Sequence, residues 1–177
     1  MTPLLSVVIV NYNYQNYILD AISSALNQSF NKIDVIVVDH ASTDNSHDVI
    51  NDYITKNKLE NKVNYIRASK NYGGPSYPRN LGIENSHSKY VLCLDGDDMI
   101  HERFVEEGLG LMENTFADIL VPRIKHFGKC DNVENGYNYD WADSVLVIST
   151  DCITEVSGYD NKRLDTNEGF EVGGLGE

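Results

Sequence analysis

Cysteine, proline and positive charge are all scarce in this chain, and each scarcity removes a class of protein. The three cysteines, Cys93, Cys130 and Cys152, are odd in number, widely spaced and without a CxxC pair. That excludes a disulfide framework and a zinc knuckle and fits a reducing compartment. Fourteen Lys and Arg face 27 Asp and Glu, a formal charge of −13, which repels a phosphate backbone and argues against a nucleic-acid partner. The N-terminal apolar run 4–10 lacks a basic flank and falls far short of the roughly 20 residues a transmembrane segment needs. No transmembrane segment or targeting signal is expected. The expected location is the cytoplasm, with membrane contact only at the periphery, through an acceptor or partner. With four prolines and no repeat or low-complexity tract, nothing resembles a linker.

What is present is an ordinary globular composition, 41% hydrophobic and 23% charged over 177 residues, enough for one domain with one core. Residues 5–10 form a β-branched run that reads as a buried strand. Ile18, Ala21, Ile22, Ala25 and Leu26 follow at helical spacing. The order recurs with a strand at 35–38, a turn-rich stretch at 41–45 and a helix face marked by Val49, Ile50, Tyr53 and Ile54. A third strand is expected at 63–66, a loop at 71–78, a short helix near 79–85 and a fourth strand at 90–94. A helix at about 102–113, strands near 119–124 and 145–148, and a short helix after Thr150 complete the chain. Alternation of strand and helix predicts an α/β fold with a mostly parallel, Rossmann-like sheet and helices on both faces. Residues 1–160 are expected to form the single domain, and 161–177 a Gly-rich tail that is either frayed or cut short.

Three carboxylates, Asp95, Asp97 and Asp98, follow directly on the fourth strand. Ligands of an open α/β sheet bind outside the carboxyl ends of its strands, so these side chains are placed where a ligand lies. Hard oxygen donors select Mg²⁺ or Mn²⁺, and a cation held by one or two carboxylates completes its shell with phosphate oxygens. Such a cation is also the way an acidic protein accepts a diphosphate. An acidic turn of this kind is also compatible with a solvated loop and helix cap.

Several segments in order resemble the family 2 inverting glycosyltransferases. They are the opening strand and loop Val10-Asn11-Tyr12-Asn13, the helix end Ala25-Leu26-Asn27-Gln28-Ser29-Phe30, and Val38-Asp39-His40-Ala41-Ser42-Thr43-Asp44. Arg79-Asn80-Leu81-Gly82, the DxD-like Asp95-Gly96-Asp97-Asp98 and the turn Gly158-Tyr159-Asp160 continue the series. The resemblance implies a GT-A fold, a nucleotide diphosphate sugar as donor, a carbohydrate or other hydroxyl acceptor and Mn²⁺ or Mg²⁺ as cofactor. It further implies that Asn11, Tyr12 and Asn13 line the nucleoside pocket, that Asp39 and His40 approach the base or ribose, and that Arg79 contacts the nucleotide. Asp95 and Gly96 would face the ribose or metal-bound water, and Asp97, with Asp95, would hold the metal.

Two positions depart from the family pattern. His40 stands where a second Asp is usual, so the donor base is not expected to be read through the usual carboxylate. In one alignment Gly169 stands where the Asp of the catalytic Glu-Asp pair is expected, and in another Glu177 takes the place of the Glu and the sequence stops before the base; both leave Glu168, Glu171 and Glu177 as the nearest candidate bases. Trp141 is compatible both with stacking on an acceptor sugar and with core packing. The expected function is metal-dependent, inverting sugar transfer. The alternatives are a non-catalytic nucleotide-sugar-binding domain or fragment that lacks the base and, more weakly, a nucleotidyltransferase.

Overall fold

A computed structural model of the chain describes residues 2–122, 146–155 and 157–159. The described residues form strands β1 (Leu5–Asn11), β2 (Ile33–Asp39), β3 (Val63–Arg67), β4 (Tyr90–Asp95), β5 (Ile119–Leu120) and β6 (Leu146–Ser149). Between and after them run helices α1 (Ile18–Leu26), α2 (Ser46–Asn57), α3 (Ser76–Glu84), α4 (Phe104–Thr115) and α5 (Thr150–Glu155).

The strands lie in one sheet in the order β3-β2-β1-β4-β6-β5. The first four are parallel, whereas β6 runs antiparallel to both β4 and β5. Two cores follow from the period-two alternation of side chains. Leu5, Val7 and Ile9 of β1 join Val35, Val37, Leu92 and Leu94 on one face, while Val8 and Val10 join Ile36, Val38, Val91 and Cys93 on the other. Burial on both faces is why the central strands read as unbroken apolar runs.

Helices cover both cores. Ile18, Ala21, Ile22 and Ala25 place α1 on the first face, beside Ile50 and Ile54 of α2 and Val105, Leu109 and Met112 of α4. Leu81 and Ile83 of α3 and Ile153 of α5 cover the second. α3 approaches β1 so closely that a Cβ built on Gly82 would come within 2.2 Å of Val8 Cγ1. At the edge where the strands begin, Ser6 Oγ donates to Asp34 Oδ1 at 2.7 Å and accepts from Ser86 Oγ at 2.8 Å, so a buried hydroxyl is satisfied from two elements.

Several boundaries differ from expectation, two of them beside a proline. α3 starts at Ser76 rather than near residue 79, because Pro78 falls in the first helical turn, where the missing N–H had no intrahelical partner in any case. β5 ends at Leu120, and Pro122 two residues on cannot donate to a ladder. Residues 121–122 are described and lie outside any strand, while 123–124 of the expected strand lie outside the described residues, as do the tail 161–177 and Trp141. No helix among the described residues is long and apolar enough to cross a membrane.

Candidate functional site

Strand order reverses between β1 and β4, and a crevice opens there at the carboxyl ends of the strands. Register aligns those ends: Asn11 pairs with Asp39, and Val10 with Asp95. The cleft, about 250 Å³ in volume, is lined by Val10, Tyr12, Tyr14, His40, Gly74 and Asp95 among others. The loop 71–75 forms one wall, and the ends of β1 and β4 contribute Val10 and Asp95.

Neighbouring strand ends send their side chains in different directions. Asp95, at the end of β4, reaches the cleft with 30% of its side chain exposed, and its Oδ1 accepts from Arg79 Nη2 at 2.9 Å. Arg79, on α3, is only 3% exposed. Expected to contact the nucleotide, it holds the Asp95 carboxylate that faces the cleft. Burial raises the Asp95 carboxyl above its ordinary range, and the Arg79 charge pulls against that rise. A hydrogen bond between charged groups in such surroundings is worth about 1.5–3 kcal/mol.

Gly96 lets the acidic turn press against β1. A Cβ there would lie 2.9 Å from the Val10 carbonyl and 3.3 Å from Tyr14 Cδ2. Asp97, next in the chain, is exposed. Its charge reaches Tyr14, whose hydroxyl is raised first by burial and then by Asp97 and Asp95. Among the described residues no group of three or more His, Cys, Asp or Glu could close a metal shell unaided. One exposed and one partly exposed carboxylate fit a hard cation that takes its other ligands from phosphate and water.

Asn11 and Asp39 turn inward instead. Both are wholly buried. Asn11 Nδ2 donates to Asp39 Oδ1 at 3.2 Å and to Ser42 Oγ at 3.0 Å. Asp39 Oδ1 also accepts from the N–H and hydroxyl of Ser42, while Oδ2 accepts from Tyr65 Oη at 3.2 Å and lies 3.5 Å from Arg67 Nε. The carboxylate expected to approach the base is thus the hub that ties β1, β2 and β3 together. Asn13, in the left-handed region at φ 61°, clamps the two loops above the hub. Its Oδ1 accepts the N–H of Thr43 at 2.8 Å, and its own N–H donates to Ser42 Oγ at 3.0 Å. Of the residues expected to line the nucleoside pocket, Tyr12 lines the cleft, 41% exposed.

His40 lines the cleft but is 2% exposed, and its Nε2 accepts the N–H of Tyr72 at 2.8 Å. The ring stacks with Tyr77 at 5.6 Å and Tyr72 at 6.3 Å, and meets Tyr12 edge-on at 6.4 Å. An acceptor at Nε2 requires the neutral ring with its proton on Nδ1. Burial lowers its pKa, against the opposing charge of Asp39.

Ser42, Tyr14, Tyr77, Asn80 and Tyr159 all contribute to the site or its support without having been assigned roles from sequence. Asn80 and Tyr159 belong to segments that carry the family resemblance, a signal that pointed to them without saying what they touch. Tyr72 and Tyr77 flank Gly73-Gly74-Pro75 and follow no regular period. The candidate bases Glu168, Glu171 and Glu177 lie outside the described residues.

Known proteins share both sequence and shape. The Staphylococcus aureus (strain Mu50) poly(ribitol-phosphate) β-N-acetylglucosaminyltransferase TarS is 32% identical over 122 residues, which is 68% of this chain and 21% of that protein. The crystal structure of S. aureus TarS 1–349 with UDP superposes with a TM-score of 0.76 at 22% identity, covering 93% of this chain and 52% of that one. The mannosyltransferase PcManGT from Pyrobaculum calidifontis, in complex with GDP-Man and Mn²⁺, superposes at 0.73 with 13% identity, covering 92% and 49%. The fold is therefore the GT-A arrangement, and the chain spans about half the length of these solved chains and a fifth of the TarS relative. The sequence model described as Glycosyl transferase family 2 matches residues 6–168, across the strands and turns that build this cleft, and the chain belongs to that family.

Proposed function

We propose that this chain carries the donor site of a glycosyltransferase that moves a sugar from a nucleotide diphosphate sugar to an acceptor hydroxyl, with inversion at the anomeric carbon and with Mn²⁺ or Mg²⁺ as cofactor. The observation that carries this is the meeting of the Arg79–Asp95 pair and the exposed Asp97 carboxylate at the reversal of strand order. The solved neighbours, one in complex with UDP and one with GDP-Man and Mn²⁺, support the donor class. The TarS relative supports a polyhydroxyl polymer or carbohydrate as acceptor.

In the transfer, the acceptor oxygen bonds to the anomeric carbon as the bond from that carbon to the diphosphate oxygen breaks. The acceptor proton passes to a base, and the bond's electrons leave with the diphosphate. A divalent ion, when bound, neutralises charge on the departing diphosphate. Asp97 and Asp95 would hold it, Arg79 fixes the direction of Asp95, and Tyr12 would flank the nucleoside. Of the candidate bases, Glu171 is the first to test, with Glu168 and Glu177 after it.

Calorimetric titration of UDP and GDP with and without Mn²⁺ tests the donor site. Absence of binding by either nucleotide in the presence of Mn²⁺ rejects it. Gly169, in the place of the usual base, favours a second reading in which the chain binds donor without transferring sugar. Single-turnover transfer separates the two. Turnover lost in Glu171→Gln identifies the base, whereas binding without turnover, restored by Gly169→Asp, supports the binding-only reading.

A further inference from the structure

Asn80 follows Arg79 on α3. Its side chain reaches across 79 positions of sequence to the backbone of one residue, where Nδ2 donates to the Tyr159 carbonyl at 2.8 Å and Oδ1 accepts the Tyr159 N–H at 2.8 Å. A primary amide offers a donor and an acceptor side by side, so it pairs with a peptide backbone as a neighbouring strand would. Gly158 makes the approach possible. It adopts φ +80°, and a Cβ there would stand 2.8 Å from Asn80 Oδ1.

Held in this way, the Tyr159 ring lies 5.4 Å from the Arg79 guanidinium carbon. That guanidinium bonds Asp95 Oδ1 at 2.9 Å. A buried cation needs compensation around it. Here Asp95 supplies the countercharge, and the Tyr159 ring supplies a π-face. Arginine has a long stem with many rotamers, so removing the ring frees the guanidinium to turn and the carboxylate with it.

The geometry points to Asn80 as a positioning residue for the donor site: by docking the 157–159 turn it seats the Tyr159 ring on Arg79 and so fixes the Asp95 carboxylate in the cleft. This rests on the donor-site function proposed above. It differs from a purely structural tie in one respect, that the effect of Asn80 on ligand binding passes through Arg79.

Two measurements on the full polypeptide test it. In the ligand-free protein, the Arg79 side-chain Nε–H resonance is expected to be displaced by the Tyr159 ring current. Asn80→Ala, and separately Tyr159→Leu, are expected to move it to the values of exposed arginines, and Asn80→Asp, which keeps an acceptor for the Tyr159 N–H, to an intermediate value. With UDP and Mn²⁺ as probe, Asn80→Ala is expected to weaken binding about tenfold. In an Arg79→Gln background the same substitution is expected to change it by less than about twofold, because the two act as one unit. An unmoved Arg79 resonance in folded Asn80→Ala overturns the proposal. So does an undiminished loss in the Arg79→Gln background. If the unmodified chain binds neither UDP nor GDP, the donor site is what fails, and the ligand-free resonance still decides the role of Asn80.

Discussion

His40 Nε2 accepts the backbone N–H of Tyr72 at 2.8 Å, which makes one neutral imidazole the fastening for the loop that walls the cleft. Protonation converts that acceptor into a donor facing another donor. The groups packed around the ring are Asp39, Tyr12, Tyr72 and Tyr77. Of these, only Asp39 favours the charged form, and burial outweighs it. The folded pKa is thus below the unfolded value of 6.5. The stability from this group is therefore present above the unfolded pKa and is lost as pH falls through the folded one. Urea unfolding at pH 8 and pH 5.5 is expected to show the loss, and His40→Gln, whose Oε1 still accepts, to show less of it. Equal losses in the two proteins reject the role.

Asp97→Asn removes a formal charge from an exposed turn, so the fold is expected to persist. The Mn²⁺-dependent part of UDP affinity is expected to fall at least about tenfold, or about 1.4 kcal/mol. Calorimetry with and without Mn²⁺ reads the difference directly, and an unchanged metal-dependent affinity removes Asp97 from the site.

Asp39→Ala leaves Asn11 Nδ2, the Ser42 N–H and the Tyr65 hydroxyl without the carboxylate that now joins them. Loss of such a buried hub is expected to cost about 3 kcal/mol. A chemical-denaturation midpoint close to that of the unmodified protein would show that the hub contributes little.

Two glycines are expected to respond in opposite directions. Gly82→Ala drives a methyl to within 2.2 Å of Val8 Cγ1 and is expected to destabilise by about 1–3 kcal/mol. Gly110, inside α4, has nothing within 4 Å of a built Cβ, so Gly110→Ala is expected to stabilise by about 0.5–1 kcal/mol. Urea midpoints of the two variants check both signs.

The central strands are legible in the sequence because a strand buried on both faces is a short, continuous β-branched run. Asp95, Gly96 and Asp97 are legible for the same reason, since they stand where such a run ends. Side-chain direction is another matter. Asn11 and Asp39 are register partners and turn inward, whereas Asp95 pairs with Val10, one residue back, and so points to the other face of the sheet. The donors that draw Asp39 in, Ser42 and Tyr65, are brought to it only by the turn and by the register of β2 with β3. His40 likewise finds its partner 32 residues on, in a loop whose path the local pattern does not specify. Asn80 and Tyr159 each stand in a segment that carries the family resemblance, but no spacing rule relates two residues 79 positions apart.

The antiparallel β6 has a consequence for how the chain is made. β4 has β1 on one side and β6 on the other, and its register joins Cys93 to Leu146 and Tyr90 to Ser149. Some fifty residues must therefore leave the ribosome after β4 before its second edge is covered. At about 5–20 residues per second, that edge stays open for roughly 3 to 10 seconds. During nascent-chain growth, an apolar strand with a free ladder of N–H and C=O groups is a template for pairing with another polypeptide. Over that interval the edge of β4 is open to such pairing.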